Sequence, residues 1–250
     1  MSTLFTNLFA SAFRARLCRM ERMARGARAR GSLSQAEIVT VALEIAETEG
    51  PDAVTFRRLG AALGVAPTAV LRHFRDKDDL LLALGARLLE DAIAQVDVDE
   101  PDWRTRLLTL CRATRRSFEA HPRVAVLVAT RTLRREAEFQ AADLVIGAVE
   151  QAGLRGREAA RVYRVLADTA LAWTAFLAAS RSVGADVMER DGLAWSREYL
   201  VLPAGRFPHI RNVAGHLAEV DREDQFELAL ELIFDAVAAR GAAAKRSEHC

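Results

Sequence analysis

From Ser34 almost to the end of the chain, apolar residues recur three or four positions apart, and strand-like alternation is nearly absent. That periodicity predicts an all-α fold. Ser34 and Glu37 have the spacing of a capping box, and Ile38, Ala42, Ile45 and Ala46 then line one face until Gly50 ends the helix. Thr55 caps a second helix carrying Phe56, Leu59 and Leu63 and closed by Gly64. A third spans about Ala66 to Phe74. Asp76 caps a fourth, about 77–97, with Leu80, Leu81, Leu84, Leu88 and Leu89 as its apolar positions. Pro101 and Asp102 restart the chain, and further helices are predicted near 102–120, 122–132, 135–152, 156–182, 187–199 and 223–240. The Leu202–Phe207–Pro208 stretch reads as a loop.

The 250 residues are 51% hydrophobic and 28% charged, a soluble globular composition with room for one large domain or two modest ones. No wholly apolar run approaches the roughly 18 residues of a membrane span, so no membrane partner is expected. The formal net charge is +1, but it is unevenly spread. Residues 1–33 hold seven arginines against one acid, Glu21, which leaves +6 there and −5 over the rest. Leu4, Phe5, Leu8, Phe9, Ala12 and Phe13 recur at helical spacing ahead of those arginines, the pattern of a membrane-surface or targeting leader. The stronger reading is a basic disordered extension, or translation from Met20 or Met23, the latter leaving a short basic arm, ARGARARGS. The expected domains are the extension 1–33, a first domain 34–80, a second 81–240 and a disordered tail 241–250.

Cys18, Cys111 and Cys250 are odd in number and far apart, which fits a reducing cytoplasm rather than a disulfide framework. His209 and His216 have no third ligand partner, so no metal is expected. No catalytic triad, Cys/His arrangement or phosphate-binding glycine loop stands out. The chain is therefore read as neither an enzyme nor the carrier of a cofactor.

Residues 55–74 read as a helix-turn-helix. Gly60 is small where two helices must cross, Gly64 supplies a permissive turn, and Leu59, Leu63, Val65 and Val70 fix the angle. In such a unit the second helix offers its N-terminal end to the major groove of DNA. Pro67 suits a first helical turn, where its missing N–H is no loss. Thr68 and Ala69 can meet base edges, and Arg72 a phosphate or a guanine. Arg57 and Arg58 could clamp the backbone, with Lys77 adding a phosphate contact. The candidate DNA-binding set also includes Thr55, Ala66 and His73. Residues 55–77 hold five bases and one acid, Asp76, a local +4.

The stretch LSQAEIVTVALEIAETEGPDAVTFRRLGAALGVAPTAVLRHFRDKDDLLLAL resembles the DNA-binding domain of the tetracycline-repressor (TetR) family. Thr55, Arg58, Leu59, Leu63-Gly64-Val65, His73-Phe74, Lys77 and Leu80-Leu81 carry the resemblance. His121-Pro122, GRFPHI at 205–210 and DQFELALELIFDAVAAR at 224–240 resemble the regulatory domain of the tetracycline-repressor branch. Leu71 departs from the family, which usually has a phosphate-touching tyrosine there. The resemblance implies a homodimeric repressor that binds a palindromic double-stranded operator and is released by a small-molecule effector. The alternative is a DNA-binding protein without an effector.

For the dimer, Phe226, Leu230, Ile233 and Val237 form one stripe on the last helix, widened by Leu228, Leu232, Phe234 and Ala236. The 156–182 helix has Val162, Leu166, Ala170, Trp173 and Leu177, flanked by Val165, Ala172, Phe176 and Ala179. The resemblance further implies an effector pocket among the middle helices. Its candidates are Trp103, Leu107, Cys111 and Phe118, then Leu127, Val128, Leu144, Trp173 and Phe176. Arg115, His121, Arg131 and Tyr163 are the candidate polar selectors.

Overall fold

A computed structural model describes residues 33–180, 183–217, 219–220 and 222–248. The extension up to residue 32, with Cys18, lies outside the described residues, as does Cys250. The described residues form helices joined by turns, with no strand among them. The helices are α1 (Gln35–Glu49), α2 (Phe56–Leu63), α3 (Pro67–Leu71), α4 (Lys77–Ile93), α5 (Trp103–Glu119), α6 (Pro122–Val128), α7 (Glu136–Gln151), α8 (Gly156–Ser180), α9 (Ala185–Arg197), α10 (Pro208–Leu217) and α11 (Arg222–Glu248). Short 3-10 turns occur at Pro51–Ala53 and Tyr199–Val201. The chain divides after Leu84 into two compact units, so α4 begins in the first and ends in the second.

The first unit is built from its caps inward. Ser34 Oγ accepts the Glu37 N–H at 3.2 Å, while the Glu37 carboxylate accepts the Ser34 N–H at 2.9 Å. The two bonds satisfy two of the backbone donors a helix start leaves open. Thr55 Oγ1 accepts the Arg58 N–H at 3.1 Å and starts α2 in the same way. Ile38, Ala42, Leu59, Val70, Phe74, Leu80 and Leu84 are buried and make the core of the unit.

In the second unit α8 is central: α5, α6, α7 and α11 all pack on it. Leu166, Ala170, Thr174 and Ala178 form its buried stripe, and Thr174 Oγ1 donates to the Ala170 carbonyl at 2.7 Å. By length and composition α8 could cross a bilayer. Its buried stripe faces protein instead, and Arg161, Arg164 and Asp168 stand exposed along it. Phe226, Leu230, Phe234 and Val237 are the buried positions of α11. Phe234 therefore belongs to the core stripe at i, i+4 spacing, rather than to its flank.

Several boundaries differ from the periodicity. The third helix, expected to Phe74, stops at Leu71, because Phe74 turns into the core and Asp76 begins a new cap. The fourth ends at Ile93 rather than 97, closed by tight turns from Gln95 and Val96 to the carbonyls of Ala92 and Ile93. The helix after His121 ends at Val128 rather than 132. The loop near 202–208 gives way at once to α10, which was not foreseen; Pro208 is its first residue, a position proline favours.

The largest correction concerns the end of the chain. Residues 241–248, expected as part of a disordered tail, continue α11. The helix was expected to end near 240, just before Gly241. Gly241 is instead the point where α11 crosses the end of α7: a Cβ there would stand 2.0 Å from the Ala152 carbonyl oxygen, closer than atoms can approach. Gly153, at φ +110°, faces it across the crossing.

Candidate DNA interface and effector cavity

In the first unit, α2 and α3 pack tightly on one another. A Cβ on Gly60 would lie 2.9 Å from the Val65 carbonyl oxygen, so the small residue at 60 sets the close crossing. Gly64 closes α2 in the left-handed region, at φ 63° and ψ 35°. The Val65 N–H then reaches the Gly60 carbonyl at 2.9 Å, and Pro67 opens α3.

This tight turn leaves α3 with one buried side chain, Val70, and an outward face. Ala66, Pro67, Thr68, Leu71 and Arg72 are exposed, while Ala69 and His73 are half-buried. Thr55, Arg57 and Lys77 are exposed as well. The proposed set thus lies at the surface except for Ala69, His73 and Arg58, which are half-buried.

Two features were not legible in the sequence. Arg58 Nε donates to the Glu49 carboxylate at 2.9 Å, and this hydrogen bond, with the guanidinium charge, holds the Glu49 carboxyl below its ordinary value. A phosphate would have to share Arg58 with Glu49. The second is a bond from Gln35 Nε2 to the His73 carbonyl at 2.7 Å, which ties the start of α1 to the end of the α3 turn. Lys77 opens α4 beside Asp76, whose Oδ1 accepts the Asp79 N–H at 2.7 Å. That hydrogen bond, then the one from Arg75, keeps the Asp76 carboxyl below its usual range.

The second unit contains a cavity of about 110 Å³ walled by α5, α7 and α8, with Leu89, Val128, Arg131 and Leu133 completing it. Leu107, Cys111, Phe118 and Tyr163, all foreseen, line it, as do Val128 and Arg131. Thr114 and Glu138 were missed. Glu138 has a local cause for its place. Arg134 lies at φ 55°, and its N–H donates to the Glu138 carboxylate at 2.7 Å, which fixes the start of α7. Burial raises the Tyr163 hydroxyl pKa, and the nearby Glu138 charge adds to the rise. Burial also pushes the Cys111 thiol up to about 12.

The structure does not bring the other candidates to this wall. Trp103 stacks edge-on against Phe234, with centroids 5.9 Å apart, and Trp173 against Phe226 at 6.3 Å. Arg115 pairs with Glu119 at 3.3 Å and lies over the Phe226 ring. His121 starts α6, and its buried Nδ1 has no hydrogen-bond partner. Leu144 is half-buried on α7, away from the lining, and Leu127 and Phe176 are exposed. These aromatics were read as pocket because periodicity shows that a face is apolar without showing whether core or cavity covers it. His209 and His216 are both exposed on α10.

Comparison with known proteins agrees with both halves. Residues 38–84 match the family described as bacterial regulatory proteins, tetR family. Residues 97–240 match the tetracyclin repressor-like, C-terminal domain. The HTH-type transcriptional repressor Rv1353c of Mycobacterium tuberculosis is 34% identical over 105 residues, 42% of this chain; the match spans only 40% of that relative's length. The tetracycline repressor protein class A from transposon 1721 of Escherichia coli is 28% identical over 81% of this chain and 89% of its own. Among solved structures, apo ActR from Streptomyces coelicolor superposes with a TM-score of 0.72 at 28% identity, covering 86% of this chain and 99% of that one. ActR has also been solved with actinorhodin, and that structure superposes with a TM-score of 0.71 at 27% identity over 84% of this chain. With both its reading head and its cavity-bearing unit matched in order along the sequence, the chain belongs to the TetR family of bacterial regulatory proteins.

Proposed function

We propose that this protein is a transcriptional repressor that binds a palindromic operator as a homodimer and leaves it when a small molecule enters the cavity of the second unit. The observation that carries this reading is the pairing, in one chain, of an outward-facing α3 flanked by the exposed bases Arg57, Arg72 and Lys77 with a largely apolar cavity. One α3 reads only a few base pairs. Two related by a twofold axis, about 34–36 Å apart, read successive major grooves.

An uncovered apolar surface supports the dimer. Val165 and Phe176 on α8 and Leu228 and Leu232 on α11 are each more than half exposed. Val162, Val165, Leu232, Ile233 and Ala236 wall one groove, rimmed by Glu158, Arg161 and Arg240. Arg161 and Arg240 both pair with Glu158, at 3.0 and 3.3 Å. An apolar strip with a charged rim is the anatomy of a subunit interface.

The cavity favours a ligand with an apolar body and a hydrogen-bonding head that meets Tyr163, Glu138, Arg131 and Thr114. The complex of ActR with actinorhodin supports an effector of this general kind. The cavity also favours a sensor over the alternative, an effector-free DNA-binding protein, whose core would be filled. Such a regulator acts without catalysis, in the cytoplasm with the chromosome.

The test is a titration against DNA upstream of the protein's own gene, with unrelated DNA as competitor, at two salt concentrations. Binding at two protomers per site that survives competitor supports the reading. Arg72→Ala and Lys77→Ala should then weaken it, each lowering the salt slope by about one unit. Unchanged binding in both variants would remove α3 from the interface.

A further inference from the structure

The helices α5, α7 and α8 each bring one oxygen-bearing side chain to the cavity lining, Thr114, Glu138 and Tyr163, among apolar neighbours such as Leu107, Phe118 and Leu166. Thr114 is only 6% exposed. Among the described residues, neither its hydroxyl nor that of Tyr163 makes a hydrogen bond. One Glu138 oxygen, Oε2, accepts the Arg134 N–H at 2.7 Å, and the carboxylate forms no ion pair among the described residues. Its charge is felt at the cavity wall, where it adds to the rise of the Tyr163 hydroxyl pKa. Arg131, the cation in the lining, is already engaged by another group. A carboxylate beside apolar walls is costly until a cation or hydrogen-bond donors meet it. A buried hydroxyl without a partner carries a cost of the same kind.

On the reading of this cavity as the effector site, we propose that the effector is a small arylalkylamine, whose ring lies among the apolar residues and whose ammonium group is held by Glu138 with the Tyr163 and Thr114 hydroxyls. Size and charge choose the class. The cavity, of about 110 Å³, is near the scale of one that holds a single benzene ring, about 150 Å³. An ammonium group has three donors and no acceptor, and the carboxylate and the two hydroxyls all accept. An acidic ligand would set a second negative charge beside Glu138. A neutral alcohol would leave the Glu138 charge uncompensated.

The test titrates the full chain by calorimetry, at neutral pH, with phenethylamine, phenethyl alcohol and phenylacetate, which share a ring and differ in the charge of the head. Phenethylamine should bind about tenfold tighter than the alcohol, because hydrogen bonds between charged groups are about twice as strong as neutral ones. Phenylacetate should bind weakest. Glu138→Gln keeps an acceptor for the Arg134 N–H, and a matched thermal melt shows that the variant is folded. It should remove the preference for the amine and leave the affinity for the alcohol unchanged. Equal affinities for amine and alcohol, tightest binding of phenylacetate, or an amine preference that survives Glu138→Gln would overturn the amine and leave the cavity as a binding site. Binding by none of the three would overturn both the amine and the effector site.

Discussion

Leu71 is 45% exposed at the end of α3, on the face that carries Thr68 and Arg72. A leucine there offers no hydrogen bond to a phosphate. Leu71→Tyr adds a phenolic donor on an outward face, without touching the buried Val70. Such a bond is worth about 1 kcal/mol, so operator affinity should rise roughly fivefold, read by a binding isotherm at fixed salt. A loss of affinity would mean that α3 docks in another orientation. Cys111 presents the opposite situation, a reactive atom made inert by its surroundings. Its thiol is buried and pushed up to about 12, and only the thiolate is nucleophilic. Iodoacetamide at pH 8 should leave Cys111 unmodified in the folded protein and alkylate it in denaturant, as followed by peptide mass spectrometry.

Two glycines separate packing from propensity at the level of helices. Gly241 on α11 has no room for a Cβ, because the Ala152 carbonyl occupies the place. Gly241→Ala should destabilise the protein by about 2–3 kcal/mol despite its better helix propensity. Gly147 on α7 would meet nothing within 4 Å. Gly147→Ala should therefore stabilise by about 0.5–1 kcal/mol. Urea unfolding midpoints that moved in the same direction would contradict the α7–α11 crossing. The pair also shows how far the sequence could be read. Caps at Ser34, Thr55 and Asp76 were legible, since each needs only a side chain and a backbone group a few residues away. The role of Gly241 was not legible, because the carbonyl that demands it comes from Ala152, 89 residues earlier. Periodicity likewise could not separate Phe118 and Tyr163, which line the cavity, from Trp103 and Trp173, which pack against Phe234 and Phe226.

For the whole molecule, the question is what covers the second apolar stripe on α8 and α11. Burying one large aliphatic side chain contributes about 1.5–3 kcal/mol, so a groove lined by Val162, Val165, Leu232 and Ile233 can hold two copies together when mirrored across a twofold axis. Leu232 is 63% exposed in the single chain, so Leu232→Glu should leave the fold and its melting temperature nearly unchanged. It should shift the protein to a monomer by sedimentation velocity and abolish tight operator binding. A variant that remained dimeric would place the interface elsewhere.

The short α3 has a consequence for descent. Its fold is secured by one inward residue, Val70, and by the α2 crossing behind it, while Pro67, Thr68, Leu71 and Arg72 face outward. Mutations on that outward face are nearly free of any folding cost. After gene duplication, a daughter copy could change the outward residues of α3 by a few codons and keep its second unit untouched, so the two halves would evolve on separate clocks.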